Sequence, residues 1–220
     1  MKKRMILFVS LEAIIYIGFL LMDFTNIGGS SFLKYAGILL CLVFTLLCDR
    51  TEDSLLIFTA FLFTAFADLF LLLLDRWYAA GILLFCIVQL IYAKRFFAWK
   101  KQGSPAQWLL RFVLPVSCFL LLAVFNSLTL LTGAAAFYGI NLVINAVISV
   151  SFFHTGVSHR LFSIGLWLFL CCDLCVAIHN LNFGIYTLQV FADYGMWLFY
   201  LPSQVLIALS CCSFLPRRNL

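Results

Sequence analysis

Two carboxylates interrupt otherwise apolar stretches of this chain. Asp68 lies in TAFADLFLLLLDRWY (64–78) and Asp173 lies in IGLWLFLCCDLCVAI (164–178). Two carboxyl groups in one site can divide acid–base work, because one donates a proton while the other accepts a proton or stabilises a cation. A carboxyl group that is desolvated in an apolar cavity can stay protonated near neutral pH, whereas a better hydrated one remains ionised. These two aspartates are therefore the first candidates for catalysis.

The cost of charge in an apolar environment makes the position of these acids informative. Of the 220 residues, 65% are hydrophobic and 10% are charged, whereas soluble domains are nearer a quarter charged. A carboxylate at the centre of a bilayer costs about 2.5–3.5 kcal/mol. Glu12 is a third acid within an apolar run. We expect all three acids to face the interior of a helical bundle, where they are partnered or protonated.

Eight segments are apolar and long enough to cross a bilayer, which takes about 20 residues each. The segments are too long for barrel strands and lack strict alternation, so the predicted fold class is an all-α, polytopic integral membrane bundle, a single domain over 1–220. A short parallel between FADLFLL (66–72) and CCDLCVA (171–177) suggests two four-helix halves related by an axis along the membrane normal. The predicted transmembrane helices are 5–22, 32–48, 54–74, 78–98, 107–130, 133–152, 160–180 and 194–216.

The basic residues predict the orientation of the bundle. If the N-terminus lies in the cytoplasm, only Lys34 and Arg76 lie on the outer side, and cytoplasmic loops of membrane proteins are enriched in Lys and Arg. Both termini are therefore predicted to be cytoplasmic, in a plasma membrane of the bacterial type. The cations occupy short loops rather than one helical face, so we expect no nucleic-acid partner. The inner side would hold Lys2, Lys3, Arg4, Arg50, Lys94, Arg95, Lys100, Lys101, Arg111, Arg160, Arg217 and Arg218.

Polar and aromatic side chains recur at helical spacing on several predicted helices, and such stripes pack inward. For any single amide or hydroxyl group, packing between helices is the more frequent explanation. A buried carboxylate is different, because its desolvation offsets what pairing gains. We expect the polar groups to converge on a cavity in the outer half of the membrane. The candidate substrate-binding or supporting residues are Lys34, Gln89, Tyr92, Asn141, Asn145, Tyr200 and Gln204.

The nine cysteines lie almost entirely in apolar runs, where a free thiol packs like a small hydrophobic group. The segment CCDLC (171–175) holds three of them, but no second Cys or His cluster has the spacing of metal ligands. The odd number argues against a disulfide framework. We therefore predict no metal site and no cofactor.

The order of these residues resembles that of the YhhN-type membrane proteins, the lysoplasmalogenase family. The similarity extends from Lys34 to about Leu209. The segments that carry it are LKYAG (33–37), FADLFLLLLDRWYAAGILLFCIVQLIYAKRF (66–96), IGLWLFLCCDLCVAI (164–178) and YLPSQVLIAL (200–209).

This resemblance implies a hydrolase of ether lipid metabolism that cleaves the vinyl ether bond of lysoplasmalogens, with Asp68 and Asp173 as the catalytic pair. The products are a fatty aldehyde and a glycerophospho headgroup. Lys34 would pair with the ionised aspartate or bind the lipid phosphate, and the tyrosines and Gln204 would position water or substrate. The expected partners are a lysophospholipid or ether-lipid substrate and membrane lipids, and homo-oligomer formation stays open.

The chain departs from the family pattern at four positions, and two alternative functions stay open. Ala67 replaces a usual Gly, Cys172 a usual Ser, Gln89 a usual His and Tyr35 a usual Pro. Acids within a membrane and an internal repeat also mark small-molecule or proton-coupled transporters. Loss of the His on the fourth helix is compatible with a homologue that binds ether lipids without cleaving them.

Overall fold

A computed structural model describes residues 2–25, 27–100, 105–181 and 184–212. These residues form eight α-helices and contain no strand, which confirms the all-α prediction. The helices are α1 (Lys2–Phe24), α2 (Ser30–Leu46), α3 (Glu52–Asp68) with a π-helical extension (Leu69–Leu73), α4 (Tyr78–Lys100), α5 (Pro105–Val124), α6 (Leu130–Val150), α7 (Val157–Leu181) and α8 (Tyr186–Leu209).

Several of the described helices are long and apolar enough to cross a membrane. Five helices meet this criterion: α1, α3 with its π-helical extension, α4, α6 and α7. Helix α2 and the 108–124 part of α5 are apolar but shorter. Large apolar side chains also cover the outside of the bundle; Phe32 and Leu120, for example, are 70% and 65% exposed. This combination of long apolar helices and an apolar exterior identifies an integral membrane protein.

Six of the helices close into a ring in the order α2, α3, α4, α6, α7 and α8, and α8 packs back against α2. Helix α1 lies outside the ring against α2 and α8, and α5 lies outside against α6. Each half of the chain therefore supplies one outer helix and three consecutive ring helices, an arrangement that fits two four-helix halves. Helices α3 and α7, which carry Asp68 and Asp173, occupy opposite positions in this ring.

Helix α5 ends at Val124, earlier than the apolar pattern predicts. Asn126 has a φ of 53°, and its N–H donates to the carbonyl of Ala123 at 3.0 Å. The N–H of Ser127 donates to the carbonyl of Leu122 at 2.8 Å. This pair of hydrogen bonds around a left-handed residue is a Schellman motif, which ends a helix whatever the hydrophobicity of the residues beyond it.

Helix α8 begins at Tyr186, before the predicted start at 194, and ends at Leu209. Its first turns were missed because they carry Gln189 and Asp193, which make the segment less apolar. The end of the predicted span, 213–216, lies outside the described residues. So do the predicted inner cations Lys101, Arg217 and Arg218, and the side chains of Lys2 and Lys100.

Candidate functional site

Asp68 lies where α3 changes from an α-helix to a π-helix. The N–H of Leu74 donates to the carbonyl of Leu69 at 2.9 Å, five residues back rather than four. Such π-helical turns are rare and are frequently found at functional sites. The side chain of Asp68 is buried, although it lies near the last turn of its helix. The wider turn therefore begins at the residue that the sequence marks as the leading catalytic candidate.

The carboxyl group of Asp68 is bound by a phenol from another helix. The hydroxyl group of Tyr200, on α8, donates to Oδ2 of Asp68 at 2.6 Å. Both residues are buried. The Tyr200 ring packs against Phe169 on α7 and against Trp197, with centroid distances of 5.7 and 5.9 Å. These contacts fix the direction of the phenol. The packing of α7 and α8 in the ring of helices therefore holds the hydroxyl group in position to bind Asp68.

The second carboxyl group, Asp173 on α7, has a comparable phenol neighbour. The hydroxyl group of Tyr138, on α6, is an electrostatic neighbour of the Asp173 carboxyl group, but the described structure contains no geometric hydrogen bond between them. Oδ2 of Asp173 is buried and makes no hydrogen bond within the described structure. The ring of Phe169 contacts both phenols, since its centroid lies 6.4 Å from that of Tyr138 and 5.7 Å from that of Tyr200. One phenylalanine therefore lies between the two aspartate–tyrosine pairs.

An open pocket of about 520 Å³ lies at the end of the bundle where α1 finishes and α2 begins. We call it the α1–α2 pocket; Asp23, Lys34, Asp193, Tyr194 and Trp197 are among its lining residues. Nζ of Lys34 lies 2.9 Å from Oδ2 of Asp23 and 4.2 Å from the ring centroid of Trp197. The pocket thus offers one cation, carboxylates and aromatic faces, which are groups that can bind a charged polar ligand.

Trp197 connects the α1–α2 pocket to Asp68. Its indole lines the pocket and packs edge-to-face against Tyr200, which binds Asp68. Lys34 forms its ion pair with Asp23 rather than with either catalytic candidate. A ligand seated in the pocket would therefore be separated from Asp68 by two aromatic rings.

In the described hydrogen bonds, Gln89, Asn141 and Asn145 form a network with Arg111 and make none to the aspartates. Nη2 of Arg111 donates to Oδ1 of Asn145 at 2.8 Å, and Nη1 donates to Oδ1 of Asn141 at 3.2 Å. Nδ2 of Asn145 donates to Oε1 of Gln89 at 2.8 Å. All four residues are fully buried. This network links the outer helix α5 to α6 and α4, so a cation predicted for the inner side is an interior residue of the bundle.

Each proline within a helix leaves one carbonyl without its helical N–H donor. In both cases a side chain from another helix donates a hydrogen bond to that carbonyl instead. Pro202 cannot donate to the carbonyl of Leu198, and the hydroxyl group of Tyr16 donates to it instead at 3.0 Å. In the same way, Pro115 cannot donate to the carbonyl of Arg111, and Nδ2 of Asn141 donates to it instead at 3.4 Å. Tyr16 and Asn141 therefore have structural partners.

Several polar atoms inside the bundle are buried without a hydrogen-bond partner in the described structure. Only one carboxyl oxygen of Glu12 has a hydrogen-bond partner. Sγ of Cys41 donates to Oε1 at 3.3 Å, while Oε2 has no partner. Buried polar groups are usually met by protein, water or a ligand, so the unpartnered atoms on the ring helices mark the ring interior as the place where a polar ligand would bind, whereas Glu12 lies on the outer helix α1. The others include Oγ1 of Thr64, Nε2 of Gln89, Oη of Tyr92, Oδ2 of Asp173 and Oε1 of Gln204.

Two partners in this region were missed by sequence reasoning. Asp23 lies in the last turn of α1 and Lys34 in the second turn of α2, and the connection between the two helices contains two glycines. A helical hairpin brings such residues together, so this opposite-charge pair was a usable signal. Tyr138 is different, because its approach to Asp173 depends on how α6 is rotated against α7, and no local pattern reports that.

A ring of apolar helices that encloses one buried and one half-buried carboxyl group and has a charged pocket at one end defines a polytopic membrane protein with an intramembrane acidic site. The family model of the YhhN family matches residues 29–211, and the chain belongs to this family. The match includes Lys34, Asp68, Asp173 and Tyr200. No match was found among curated proteins or among solved structures.

Three of the four departures from the family pattern lie close to the carboxyl groups. Ala67 is fully buried next to Asp68. Tyr35 and Cys172 both lie within electrostatic range of Asp68. Gln89 is the exception, because its side chain is engaged by Asn145. These three positions therefore affect the surroundings of the acids directly, whereas Gln89 belongs to the network around Arg111.

Proposed function

We propose that this protein is a membrane-embedded hydrolase that cleaves the vinyl ether bond of lysoplasmalogens to a fatty aldehyde and a glycerophospho headgroup. The YhhN family includes hydrolases. The observation that carries the proposal is the hydrogen bond from Tyr200 to the buried Asp68, in a helical ring whose opposite side carries Asp173. Two carboxyl groups that are partly desolvated suit a reaction that passes through a cation.

The two aspartates would divide the reaction as follows. Asp173, whose Oδ2 is unpartnered, donates a proton to the β-carbon of the vinyl ether and creates an oxocarbenium ion. Asp68, already a hydrogen-bond acceptor from Tyr200, stabilises this cation and takes a proton from the water that adds to the carbon bearing the ether oxygen. The hemiacetal then breaks at its ether C–O bond while its hydroxyl proton moves to the departing ether oxygen, which releases aldehyde and alcohol. One water is consumed, and proton transfer from Asp68 back to Asp173 restores the site.

The α1–α2 pocket would hold the headgroup of the substrate. Lys34 would bind the lipid phosphate, in competition with Asp23, and the Trp197 face would lie between headgroup and reaction centre. Tyr92 and Gln204, whose buried Oη and Oε1 are unpartnered, would bind water or the substrate's glycerol hydroxyl group.

The direct test is to incubate the purified chain in lipid nanodiscs with a lysoplasmalogen and to measure aldehyde by mass spectrometry. Asp68→Asn and Asp173→Asn should each lower aldehyde release by about 100-fold or more, the usual contribution of a general acid or base. Glu52→Gln is the matched control, because it removes an exposed carboxylate at the far end of α3. Aldehyde release that is absent from the wild type, or retained by the folded Asn variants, would reject the proposal.

A second candidate, an ether-lipid-binding homologue without turnover, is favoured by one contact. The amide of Gln89 is held by Asn145, so the position where the family usually has His serves a structural network. This candidate requires that the wild type bind lysoplasmalogen without releasing aldehyde and that Gln89→His gain turnover. Asp68-dependent uptake of a solute into proteoliposomes, again without aldehyde, would instead support a transporter.

We also propose that both termini face the cytoplasm and that the chain resides in a plasma membrane. The excess of Lys and Arg at the end of the bundle that carries the start of α1 supports this orientation. In a variant without native cysteines, a cysteine at Arg76 should react with a membrane-impermeant maleimide in intact cells. A cysteine at Arg50 should react only after the cells are permeabilised, and the reverse pattern would invert the orientation.

A further inference from the structure

Although the sequence predicts no metal site, we propose that Cys48, Cys211 and Cys212, which only the fold brings together, form a binding site for a soft metal ion, Cu(I) held by three thiolates. Their three sulfur atoms lie within 4.8 Å of one another, and Sγ of Cys48 is 3.3 Å from each of the other two. Metal–sulfur bonds of about 2.3 Å place the sulfurs of a three-coordinate site roughly 4 Å apart, within the range of these separations. This site is independent of the proposed hydrolysis.

The segments that carry the three cysteines are held in place by their neighbours. Cys48 follows the end of α2, and the other two cysteines lie in the turn after α8. Nη1 of Arg95 donates to Oγ of Ser210 at 2.7 Å, and Nη2 donates to the Ser210 carbonyl at 3.0 Å. Asp53 binds the same guanidinium group at 2.6 and 2.7 Å. The backbone next to Cys211 is therefore anchored to α3 and α4, so the two vicinal thiols need little rearrangement to bind an ion.

The environment of the sulfur cluster suits a cation. Cys211 and Cys212 are buried, whereas Cys48 is partly exposed and leaves a route of entry. Helices α2 and α8 both end here, but Arg4 and Arg95 already donate to the Leu47 and Ser210 carbonyls, so the charge that binds the ion must come from the thiolates. The cluster lies at the opposite end of α2 from Lys34, away from the α1–α2 pocket.

The donor set favours Cu(I) over harder ions. It consists of three sulfurs, and no His, Asp or Glu of the described chain belongs to the same cluster. Soft thiolate ligands select Cu(I) and Zn(II), but structural Zn(II) sites take four protein ligands, which this cluster does not supply. Two such thiols could instead be oxidised to a disulfide, which would no longer bind the ion. The cluster lies at the end of the bundle that we propose faces the cytoplasm, where thiols are kept reduced.

The test is to load the purified full-length chain with Cu(I) under anaerobic, reducing conditions and then to remove weakly bound copper with a Cu(I) chelator. We expect about one copper per chain to be retained and X-ray absorption to show three sulfur neighbours at about 2.3 Å. Zn(II) offered in the same way should be retained more weakly. Neither measurement depends on hydrolase activity, so failure here is distinguishable from failure of the proposed function.

Substitutions identify the ligands. Cys48→Ser and the double variant Cys211→Ser, Cys212→Ser should each weaken copper retention by about 100-fold, while Cys118→Ser, a half-exposed thiol on α5, should leave it unchanged. Equal retention by wild type and Cys48→Ser would overturn the proposal. So would a copper site with two sulfur neighbours, a preference for Zn(II), or a Cys48 disulfide in freshly isolated protein. If the variants fail to fold, the X-ray absorption spectrum of the copper-loaded wild type tests the proposal by the number of sulfur neighbours of the copper ion.

Discussion

Oη of Tyr200 lies 2.6 Å from Oδ2 of Asp68, although 132 residues separate the two in the chain. The bond joins α8 to the residue at which α3 widens into a π-helix. A buried carboxyl group whose oxygen accepts a hydrogen bond from a phenol fixed by packing has a defined orientation. The reactivity of Asp68 is therefore expected to depend on Tyr200.

Tyr200→Phe should lower aldehyde release from a lysoplasmalogen by about 10- to 100-fold, because in the proposed mechanism it removes a hydrogen bond to the ionised Asp68. The ring contacts with Phe169 and Trp197 are kept, so thermal unfolding should change little. Tyr78→Phe is the control, since its phenol bonds only the exposed Asp75 among the described contacts. Unchanged kcat in Tyr200→Phe would show that the phenol does not assist Asp68.

Lys34→Gln should raise KM for a lysoplasmalogen by about tenfold, equivalent to about 1.4 kcal/mol of binding, with little change in kcat. The reason is that Lys34 is the cation of the α1–α2 pocket within the described structure and would contact the phosphate. A neutral vinyl ether of glycerol, which lacks phosphate, should show no such difference. The exposed Lys94 provides the control as Lys94→Gln. Equal effects on both substrates would argue against phosphate binding by Lys34.

Asn145→Ala should lower the free energy of unfolding by about 1–3 kcal/mol, because it leaves donors of Arg111 and an acceptor of Gln89 buried without partners. Denaturant unfolding of the purified protein would measure the loss. Asn180→Ala removes an exposed amide that bonds a carbonyl of its own helix and should cost much less. Similar losses in the two variants would mean that the Arg111 network adds little stability.

A double-mutant cycle can measure the bond between Tyr16 and the carbonyl that Pro202 leaves free. Tyr16→Phe should destabilise the wild type by about 0.5–1.5 kcal/mol. In a Pro202→Ala background the restored backbone N–H bonds the Leu198 carbonyl, so the same change should cost less. Unfolding free energies of the four proteins give the coupling directly. If Tyr16→Phe lowers the unfolding free energy equally in both backgrounds, the Tyr16 phenol does not compensate for the N–H that Pro202 lacks.

Local patterns predict some contacts of this site and leave others open. The Lys34–Asp23 pair follows from a helical hairpin with opposite charges beside its turn, so it was accessible from sequence. The end of α5 was missed because Leu128, Leu130 and Leu131 continue the apolar run, although Asn126 is a residue type that can adopt the left-handed conformation at a helix end. The π-helical turn after Asp68 has no sequence signature at all, since Leu69–Leu73 reads as an ordinary apolar helix.

The amino-acid sequence by itself determined the membrane-bundle class, the eight helices and the burial of Glu12 and Asp68, because hydrophobic length and the cost of charge in a bilayer act on each segment separately. Only the tertiary structure decided which side chains meet. Asp68 binds Tyr200 rather than Lys34, Arg111 lies between two asparagines, and Cys48 lies beside two distant thiols. These contacts depend on the order, rotation and depth of helices in the ring, which arise from packing over the whole chain and leave no local pattern.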